Sequence, residues 1–458
     1  MKKTKVSRQE KEEIMSKIVD ARLPEDGKIA EPAGKPGSAA FQSQYFARDL
    51  QAGIITGVMA VALSIGIAIM SEYPIRVGLA TVAFASFIAW ITAWFRPGNY
   101  IGSPGIAAGL APILALGVAT FGIQNMAFIV FLTASMQAVI WKFNLQRFIL
   151  KAVPNYLVEG LLAGIGLKIA LKFLEFAYEI PAEQVAEGVF LNAARIQMIL
   201  ISLAGFVLFV FLFFKFKDKQ PAVPYFVIIV AGVILAQFVS VPMLKIEAVD
   251  IRLALPLPNF DGALIWLYAI GFAMMLAVVD VVEQVMSNSA IEKIDPLGRK
   301  CNSNNSLLAI WIANMGSSFF GGMKNLDGLA KSTTNQLAGA HTKFSVLIIG
   351  IVVTFFVFFS QYLEFLPKFA LAAIMIFTGW KMILRLWYVA DDGPYALMLA
   401  LLCGVLVFEI GIFEGLLIAL AVHGIVHYLV FSQADHMSTK DIVRKYFDKL
   451  KHDTTGVD

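Results

Sequence analysis

Long apolar blocks alternate with short polar segments between about residues 47 and 434. Most blocks approach the ~20 residues with which a helix crosses the hydrocarbon core of a bilayer. The pattern therefore predicts an all-α polytopic membrane protein. Its fourteen predicted spans lie near residues 50–71, 76–95, 103–119, 124–141, 155–174, 196–214, 222–241, 262–288, 305–320, 327–340, 344–363, 367–384, 394–411 and 413–433.

The polar ends and the basic residues predict the topology. Residues 1–46 and 435–458 form charged tails on either side of a membrane domain at 47–434. Of the 37 Lys and Arg residues, 28 fall on one side of the predicted spans and 6 on the other. Because Lys and Arg are enriched in cytoplasmic loops, we expect a multi-pass protein of the cell (inner) membrane with both termini cytoplasmic.

Composition excludes several classes of protein. Only 15% of the residues are charged, whereas globular chains carry about 25%. The basic residues form no cluster, so we expect no nucleic-acid partner, and Cys301 and Cys403 are too few for a disulfide framework or a zinc site. No phosphate loop, dinucleotide-binding glycine pattern or nucleophilic triad occurs. We therefore expect neither an enzyme nor a cofactor.

The third and tenth spans are short, and each follows a stretch of helix breakers, at residues 96–105 and 321–328. They are the third spans of the first seven and of the second seven. Interrupted spans at matching positions are typical of transporters built as an inverted repeat, with a midplane site between half-helices. The alternative is a pair of ordinary loops beside spans with misplaced limits.

A half-helix that begins at mid-membrane exposes backbone N–H groups and a positive dipole end, which favours an anion. We expect Ser103 and Gly105 to begin the first half-helix. The second should begin with Leu329, Ala330, Lys331 and Ser332. Lys331 adds a full positive charge, so a small oxyanion is the predicted substrate. Its alternative role is that of a lysine that snorkels to the membrane interface.

Asp280, Glu283 and Ser287 share one face of the eighth span, because they are three and four residues apart. Acids within a span are rare and commonly take part in proton relays or cation sites. The sequence predicts that these residues bind a coupling proton or Na⁺. The alternative is a structural salt bridge from the acids to Lys331.

Four motifs resemble those of one known family. Residues 319–322, 330–335 and 338–342 resemble its tenth-span signature, F-G-G…A-R-S-x-x-N-x-x-A-G-A-x-T. Residues 49–53 resemble its opening D-L-x-A-G, the segment at 153–166 resembles the start of its fifth span, and the segment at 366–383 resembles its twelfth span. On these motifs the chain, over residues 47–434, resembles the SulP family, which includes sulfate permeases, bacterial bicarbonate transporters and prestin.

The resemblance implies a 7+7 inverted repeat whose core moves like an elevator against a gate. The implied core covers about 47–142 and 262–363, and the gate about 154–241 and 366–434. The implied substrate is a small anion of the sulfate, bicarbonate or dicarboxylate class. A homodimer stays open as its assembly.

Several family positions carry over residue by residue. Lys331 stands where the family usually has arginine, and Ala330 where some members have a serine. Glu283 and Ser287 stand at the acid and hydroxyl positions that help to hold the cation in sodium-coupled bicarbonate members.

Three features depart from the family pattern. Leu63, which we assign to the substrate site, follows Ala62 where the family usually has a proline-containing pair. Asp327 replaces a small neutral residue at the start of the tenth half-helix, so it must be protonated, hold a cation or meet a positive part of the substrate. The family's C-terminal STAS domain is not expected, because residues 435–458 are too few for it.

These departures keep other functions open. Asp327 would suit a substrate with both charges, such as a sulfate ester of a quaternary amine, or a nucleobase carried with a proton by the same fold. A passive anion channel or a membrane scaffold would need no coupling ion.

Overall fold

The computed structural model describes residues 37–106, 108–146, 149, 154–181, 184, 192–220, 222–246, 250–390, 393–410 and 412–432. Residues 1–36 and 433–458 lie outside the described residues, so the predictions for the two tails stay predictions.

Each predicted span holds one helix. The helices are α1 (Phe46–Met70), α2 (Ile75–Thr92), α3 (Ala111–Phe121), α4 (Ile123–Lys142), α5 (Asn155–Tyr178), α6 (Ala193–Phe216), α7 (Val223–Leu235), α8 (Ala263–Lys293), α9 (Ser303–Ser318), α10 (Leu329–Leu337), α11 (Phe344–Phe358), α12 (Lys368–Leu384), α13 (Pro394–Glu409) and α14 (Ile412–Ser432). A one-turn helix at Leu386–Val389 follows α12.

Length and apolar composition qualify five helices of the described part of the chain to cross a membrane unaided, namely α2, α4, α6, α8 and α1 with the preceding turn from Ser43. Apolar segments of α3, α7, α11, α13 and α14 are shorter. Gly122 joins α3 directly to α4. Its backbone φ of +78° is one that a residue with a side chain would adopt only with strain. The short α3 and α10 are the half-helices that the breakers predicted.

Two three-residue strands precede these half-helices. β1 (Pro104–Ile106) and β2 (Asn325–Asp327) pair antiparallel, with Gly105 opposite Leu326. The prediction that Ser103 and Gly105 begin a half-helix is therefore wrong, because α3 begins only at Ala111 after a 3₁₀ turn. Pro104 disfavours helical backbone at the residue before it, and backbone buried at mid-membrane must find hydrogen-bond partners.

The helices pack in two groups. In the first group α1 packs against α11, α2 against α9 and α11, and α4 against α8 and α9. In the second, α5 packs against α12 and α13, and α6 against α7 and α12. The paired strands β1 and β2 lie within the first group, where β1 contacts α2 and β2 contacts α8.

Asp49 ties the beginning of α1 to the turn between α10 and α11. Its fully buried carboxylate accepts hydrogen bonds from the backbone N–H groups of His341 (2.7 Å) and Thr342 (3.1 Å). The Thr342 hydroxyl donates a third bond to it, at 2.5 Å. Two of the motifs that carry the family resemblance, at 49–53 and 338–342, thus meet in one contact.

Asp49→Ala should lower the free energy of unfolding by about 2–4 kcal/mol, because it leaves buried N–H and hydroxyl donors without their charged acceptor. Thermal unfolding of the detergent-solubilised protein measures the change. The matched control is Asp250→Ala, which removes the exposed partner of Arg252 and should cost under about 1 kcal/mol. Equal effects of the two variants would contradict the assigned role of Asp49.

Candidate functional site

The beginning of α10 is open. Gly328 precedes it in extended conformation and has no side chain to cap the helix, while its own N–H donates to the Ser103 carbonyl at 3.0 Å. Leu329 and Ala330 are exposed. The first backbone N–H groups of α10, at the positive end of its dipole, therefore face accessible space. As predicted, this half-helix begins at Leu329.

The charge of Lys331 lies beside the beginning of α10. Its side chain is 4% exposed, and its ammonium donates a hydrogen bond to the Pro104 carbonyl at 3.1 Å. A Cβ atom added at Gly105 would overlap that ammonium. The Lys331 side chain thus reaches β1 inside the protein and does not snorkel to a membrane interface. Its ammonium fits there because Gly105 has no side chain.

Ser103 and Ser332 link the two interrupted spans. The Ser103 N–H donates to the Ser332 hydroxyl at 3.0 Å, and that hydroxyl donates to the Gly328 carbonyl at 2.8 Å. The Ser103 hydroxyl is buried, and within the described residues it has no hydrogen-bond partner. Leu63 is buried in the apolar cluster that also contains Ile106 and Leu326, so it brings no polar group to a ligand.

The beginning of α3 meets an acid of the same chain. A Cβ atom added at Gly109, in the 3₁₀ turn before α3, would lie 2.7 Å from Glu283 Oε1 and 2.8 Å from Leu162 of α5. The Glu283 carboxylate therefore lies beside the 3₁₀ turn that precedes this half-helix. Its Oε2 atom is buried and has no hydrogen-bond partner within the part of the chain that the structure describes. Ser287, one helical turn further along α8, is buried as well.

The charge of Glu283 also interacts with charges of the second helix group. Arg385 and Glu159 of that group both act on Glu283 electrostatically. These two residues form an ion pair with Nε–Oε2 and Nη2–Oε1 distances of 2.6 and 2.7 Å. Glu283 therefore lies at the boundary between the two helix groups.

Asp280 is paired with Lys324, at 2.7 Å, and not with Lys331 as the alternative interpretation held. The topology prediction placed Lys324 in a loop, but its side chain is completely buried. It directly precedes β2, and the crossing of the two strands holds it inside the protein. Gln137 of α4 completes the group: it accepts from Lys324 at 2.6 Å and donates to Asp280 at 2.5 Å.

Asp327, the last residue of β2, is held by neutral amides. Its Oδ2 atom accepts hydrogen bonds from Asn99 (2.7 Å) and Gln284 (2.9 Å), and its N–H donates to Gln284 Oε1 at 2.8 Å. Ser306 and Lys343 join Asn99 and Asp327 around a cavity of about 10 Å³, roughly the space of one water molecule. Asp327 thus links the segment before β1, α8 and β2.

Sequence reasoning missed several residues of these networks. They are Asn99, Gln137, Gln284, Asn288, Ser306, Asn314, Lys324 and Lys343. Most are amides or lysines beside or within apolar spans, and this signal was present in the sequence. Their partners could not be found, because the contacts join segments far apart in the chain.

A cleft of about 450 Å³ lies at the C-terminal half of α10. Thr334 and Leu337 of α10 and Ile55 of α1 line one side, and Lys219 and Phe226 line the other, at the turn before α7 and on α7 itself. The cleft separates the first helix group from the second.

Residues 46–391 match the model of the Sulfate permease family. The chain belongs to the sulfate permease family. This match confirms the predicted family membership. The chain is therefore an integral membrane protein of a transporter family.

Two curated members of the family are similar to it. These are the putative sulfate transporters YvdB and YbaR of Bacillus subtilis (strain 168). YvdB is 27% identical over 359 residues, which are 75% of this chain and 66% of YvdB. YbaR is 25% identical over 340 residues, or 72% of this chain and 66% of YbaR. The chain thus spans just under two thirds of either relative.

Solved structures share the fold. The overall structure of SLC26A9 is similar with a TM-score of 0.67 and 16% identity, over 94% of this chain and 73% of that one. The transmembrane domain of the cyanobacterial bicarbonate transporter BicA gives 0.67 and 19%, over 83% of this chain and 98% of that domain. These similarities confirm the predicted all-α membrane fold.

Gly105→Ala should displace the Lys331 ammonium while the protein stays folded, because the atom that must move is the end of a flexible side chain. Losing a charged hydrogen bond of this kind should lower the free energy of unfolding by about 1.5–3 kcal/mol, which thermal unfolding of the detergent-solubilised protein measures. Gly271→Ala is the control, since a Cβ atom there meets nothing within 4 Å. Unfolding of Gly105→Ala at the wild-type temperature would show that Lys331 does not need this place.

Proposed function

We propose that this protein is a secondary active transporter of a small anion of the sulfate, bicarbonate or dicarboxylate class. The single observation that carries the proposal is the open beginning of α10 with the Lys331 ammonium beside it. Backbone N–H groups and an ammonium are all hydrogen-bond donors. A ligand rich in acceptor oxygens and negative charge satisfies them best.

The surroundings favour a compact ligand. Leu63 and Ala330 add no donor or acceptor side chain, and the Ser332 hydroxyl donates its proton to the Gly328 carbonyl. Recognition would therefore rest on the α10 backbone, Lys331 and the Ser103 hydroxyl, which has no partner among the described residues. Asp327 does not favour the nucleobase or zwitterion alternatives, because its Oδ2 atom is already engaged by Asn99 and Gln284.

We further propose that Glu283 is the residue that takes up the coupling proton or Na⁺. It lies at the boundary between the helix groups, and its Oε2 atom has no hydrogen-bond partner among the described residues. An anion moving through a low-dielectric protein is energetically costly, and a cation bound at the same time offsets its charge. Coupling of this kind separates a transporter from a passive channel.

The two helix groups suggest how the site moves. We assign α1–α4 and α8–α11 to a core and α5–α7 and α12–α14 to a gate, with an elevator-like displacement of the core. The strand crossing and its polar contacts join both half-helices within the core, so the anion site would travel as one body. The cleft at the C-terminal half of α10 would be its access route, in a cell membrane with both termini cytoplasmic.

Lys331→Ala should reduce sulfate uptake by about tenfold or more, because a charge-assisted contact to the anion is lost. Uptake of radiolabelled sulfate into proteoliposomes measures the effect, with bicarbonate and dicarboxylates as competitors. Lys215→Ala removes an exposed lysine of α6 and should retain wild-type uptake. If Lys331→Ala also retains it, the anion does not bind at α10.

Glu283→Gln should abolish sulfate accumulation driven by a proton or Na⁺ gradient but preserve exchange between equal sulfate concentrations. The amide cannot take up the cation, whereas the anion site is intact. Glu364→Gln, at an exposed position, is the control and should keep both activities. Full accumulation by Glu283→Gln would contradict this role. So would wild-type uptake that needs no ion gradient, together with a conductance above transporter turnover.

A further inference from the structure

The helix α6 leaves most of its apolar surface uncovered by the rest of the described chain. Only 17% of its most apolar 18-residue segment is buried, and Leu200, Leu203, Val207 and Phe214 are each more than half exposed. In a membrane protein, either lipid acyl chains or a second copy of the chain must cover a face of this kind.

Two lysines meet at the end of this face. Lys217 directly follows α6, and Lys381 lies one turn before the end of α12. The Lys381 ammonium lies 4.8 Å from the centroid of the Phe213 ring of α6, and the Lys217 ammonium lies 5.6 Å from that of Phe214. The two rings contact each other edge to face, with centroids 5.9 Å apart. The two exposed lysines thus share one pair of aromatic rings.

The charges of these lysines are not balanced by the chain. Lys217 and Arg385 both act on Lys381 as like charges. Arg385 is paired with Glu159, but no carboxylate of the described residues forms an ion pair with either lysine, and Asp218 is exposed. Like charges repel more strongly beside a medium of low dielectric constant. An anion held between the two ammonium groups would relieve this repulsion.

Exposed tryptophans place this end of the helices at the level of the lipid headgroups. Trp380 and Trp387 are both more than half exposed, and they lie next to Lys381 and close to Arg385 in the sequence. Tryptophan is enriched where the hydrocarbon core of a bilayer meets water, and lysine side chains near a helix end reach for the same region. The phosphate of a phospholipid lies at this level too.

We propose that Lys217 and Lys381 bind the phosphate of an anionic phospholipid whose acyl chains cover the apolar face of α6. A lipid of this class satisfies both features at once, because its chains are apolar and its headgroup is negative. A second copy of the chain fits less well, since a two-fold interface at this end would bring the same lysines of both copies together. A free inorganic anion would leave the apolar face uncovered.

Thermal unfolding of the purified full chain in detergent micelles tests this proposal. Phosphatidylglycerol should raise the unfolding temperature by about 2 °C or more above the value in phosphatidylcholine with the same acyl chains, as expected when a ligand binds only the folded state. The double variant Lys217→Gln with Lys381→Gln should lose this difference. If the double variant does not fold, Lys217→Gln alone, which changes an exposed residue after α6, should lose at least half of it.

The matched control removes two other exposed lysines near helix ends, in the double variant Lys142→Gln with Lys215→Gln. The Lys215 ammonium lies over different rings, those of Phe211 and Phe216. This variant should keep the full difference between the two lipids. An equal loss in both double variants would show a general effect of positive charge and overturn the site. A wild type that unfolds at the same temperature in both lipids would overturn it as well.

Two further arms identify what covers the site. Glycerol 3-phosphate, which has the phosphate but no acyl chains, should not stabilise the wild type at the same concentration. If it stabilises the wild type as well as phosphatidylglycerol does, and through the same two lysines, the site takes a free anion and the lipid is excluded. Phe211→Cys, on the exposed face of α6, should form no disulfide between copies in oxidised membranes. A disulfide absent from the wild type would show that a second copy covers α6 and would overturn the proposal. None of these measurements uses a transported anion, so they stand or fall separately from the proposed function.

Discussion

The antiparallel pairing of β1 with β2 is the constraint on which the rest of the site depends. Irregular backbone within a membrane protein survives only where other protein groups satisfy its N–H and C=O groups. The strands do this for each other, and all six of their residues are buried. Side chains extend the pairing, as when Asn335 donates to the Ile101 carbonyl at 3.0 Å. Both α3 and α10 can therefore begin inside the protein, after the paired strands.

The acidic and basic side chains around the paired strands are equal in number. Asp280, Glu283 and Asp327 supply three acids, and Lys324, Lys331 and Lys343 supply three bases. Lys331 and Lys343 donate to the carbonyls of Pro104 and Gly102 respectively. A carbonyl orients an ammonium without neutralising it. The positive field of these lysines therefore remains available. In the proposed mechanism, an arriving anion disturbs a charge balance that the coupled cation restores.

The sequence was sufficient for the spans and insufficient for the contacts between them. Bilayer thickness limits the length of an apolar helix, so fourteen helices could be located from hydropathy alone, and breakers marked the two half-helices. The start of α10 at Leu329 followed from them. The strand at Pro104–Ile106 did not, because a three-residue strand has no periodicity of its own and exists only through its distant partner. The spacing within α8 was sufficient to assign Asp280 to a helix face. Its partner Lys324 looked like a loop residue, because their contact joins distant parts of the chain.

The short helices α3 and α10 differ in what lies at their beginnings. Near α3 the Glu283 carboxylate lies beside Gly109 of the preceding 3₁₀ turn, next to Leu162 of the second helix group. At α10 no side chain of the described residues caps the first turn, and Lys331 strengthens its field. In the proposed function, the first place therefore carries an anion of the protein itself, whose charge a cation can cancel, and the second is left for an anion from solution. Because Arg385 and Glu159 of the second helix group act on Glu283 electrostatically, its neutralisation would change the contact between the proposed core and gate. In the proposed mechanism, cation binding at α3 thus acts on the same boundary along which the loaded α10 site must move.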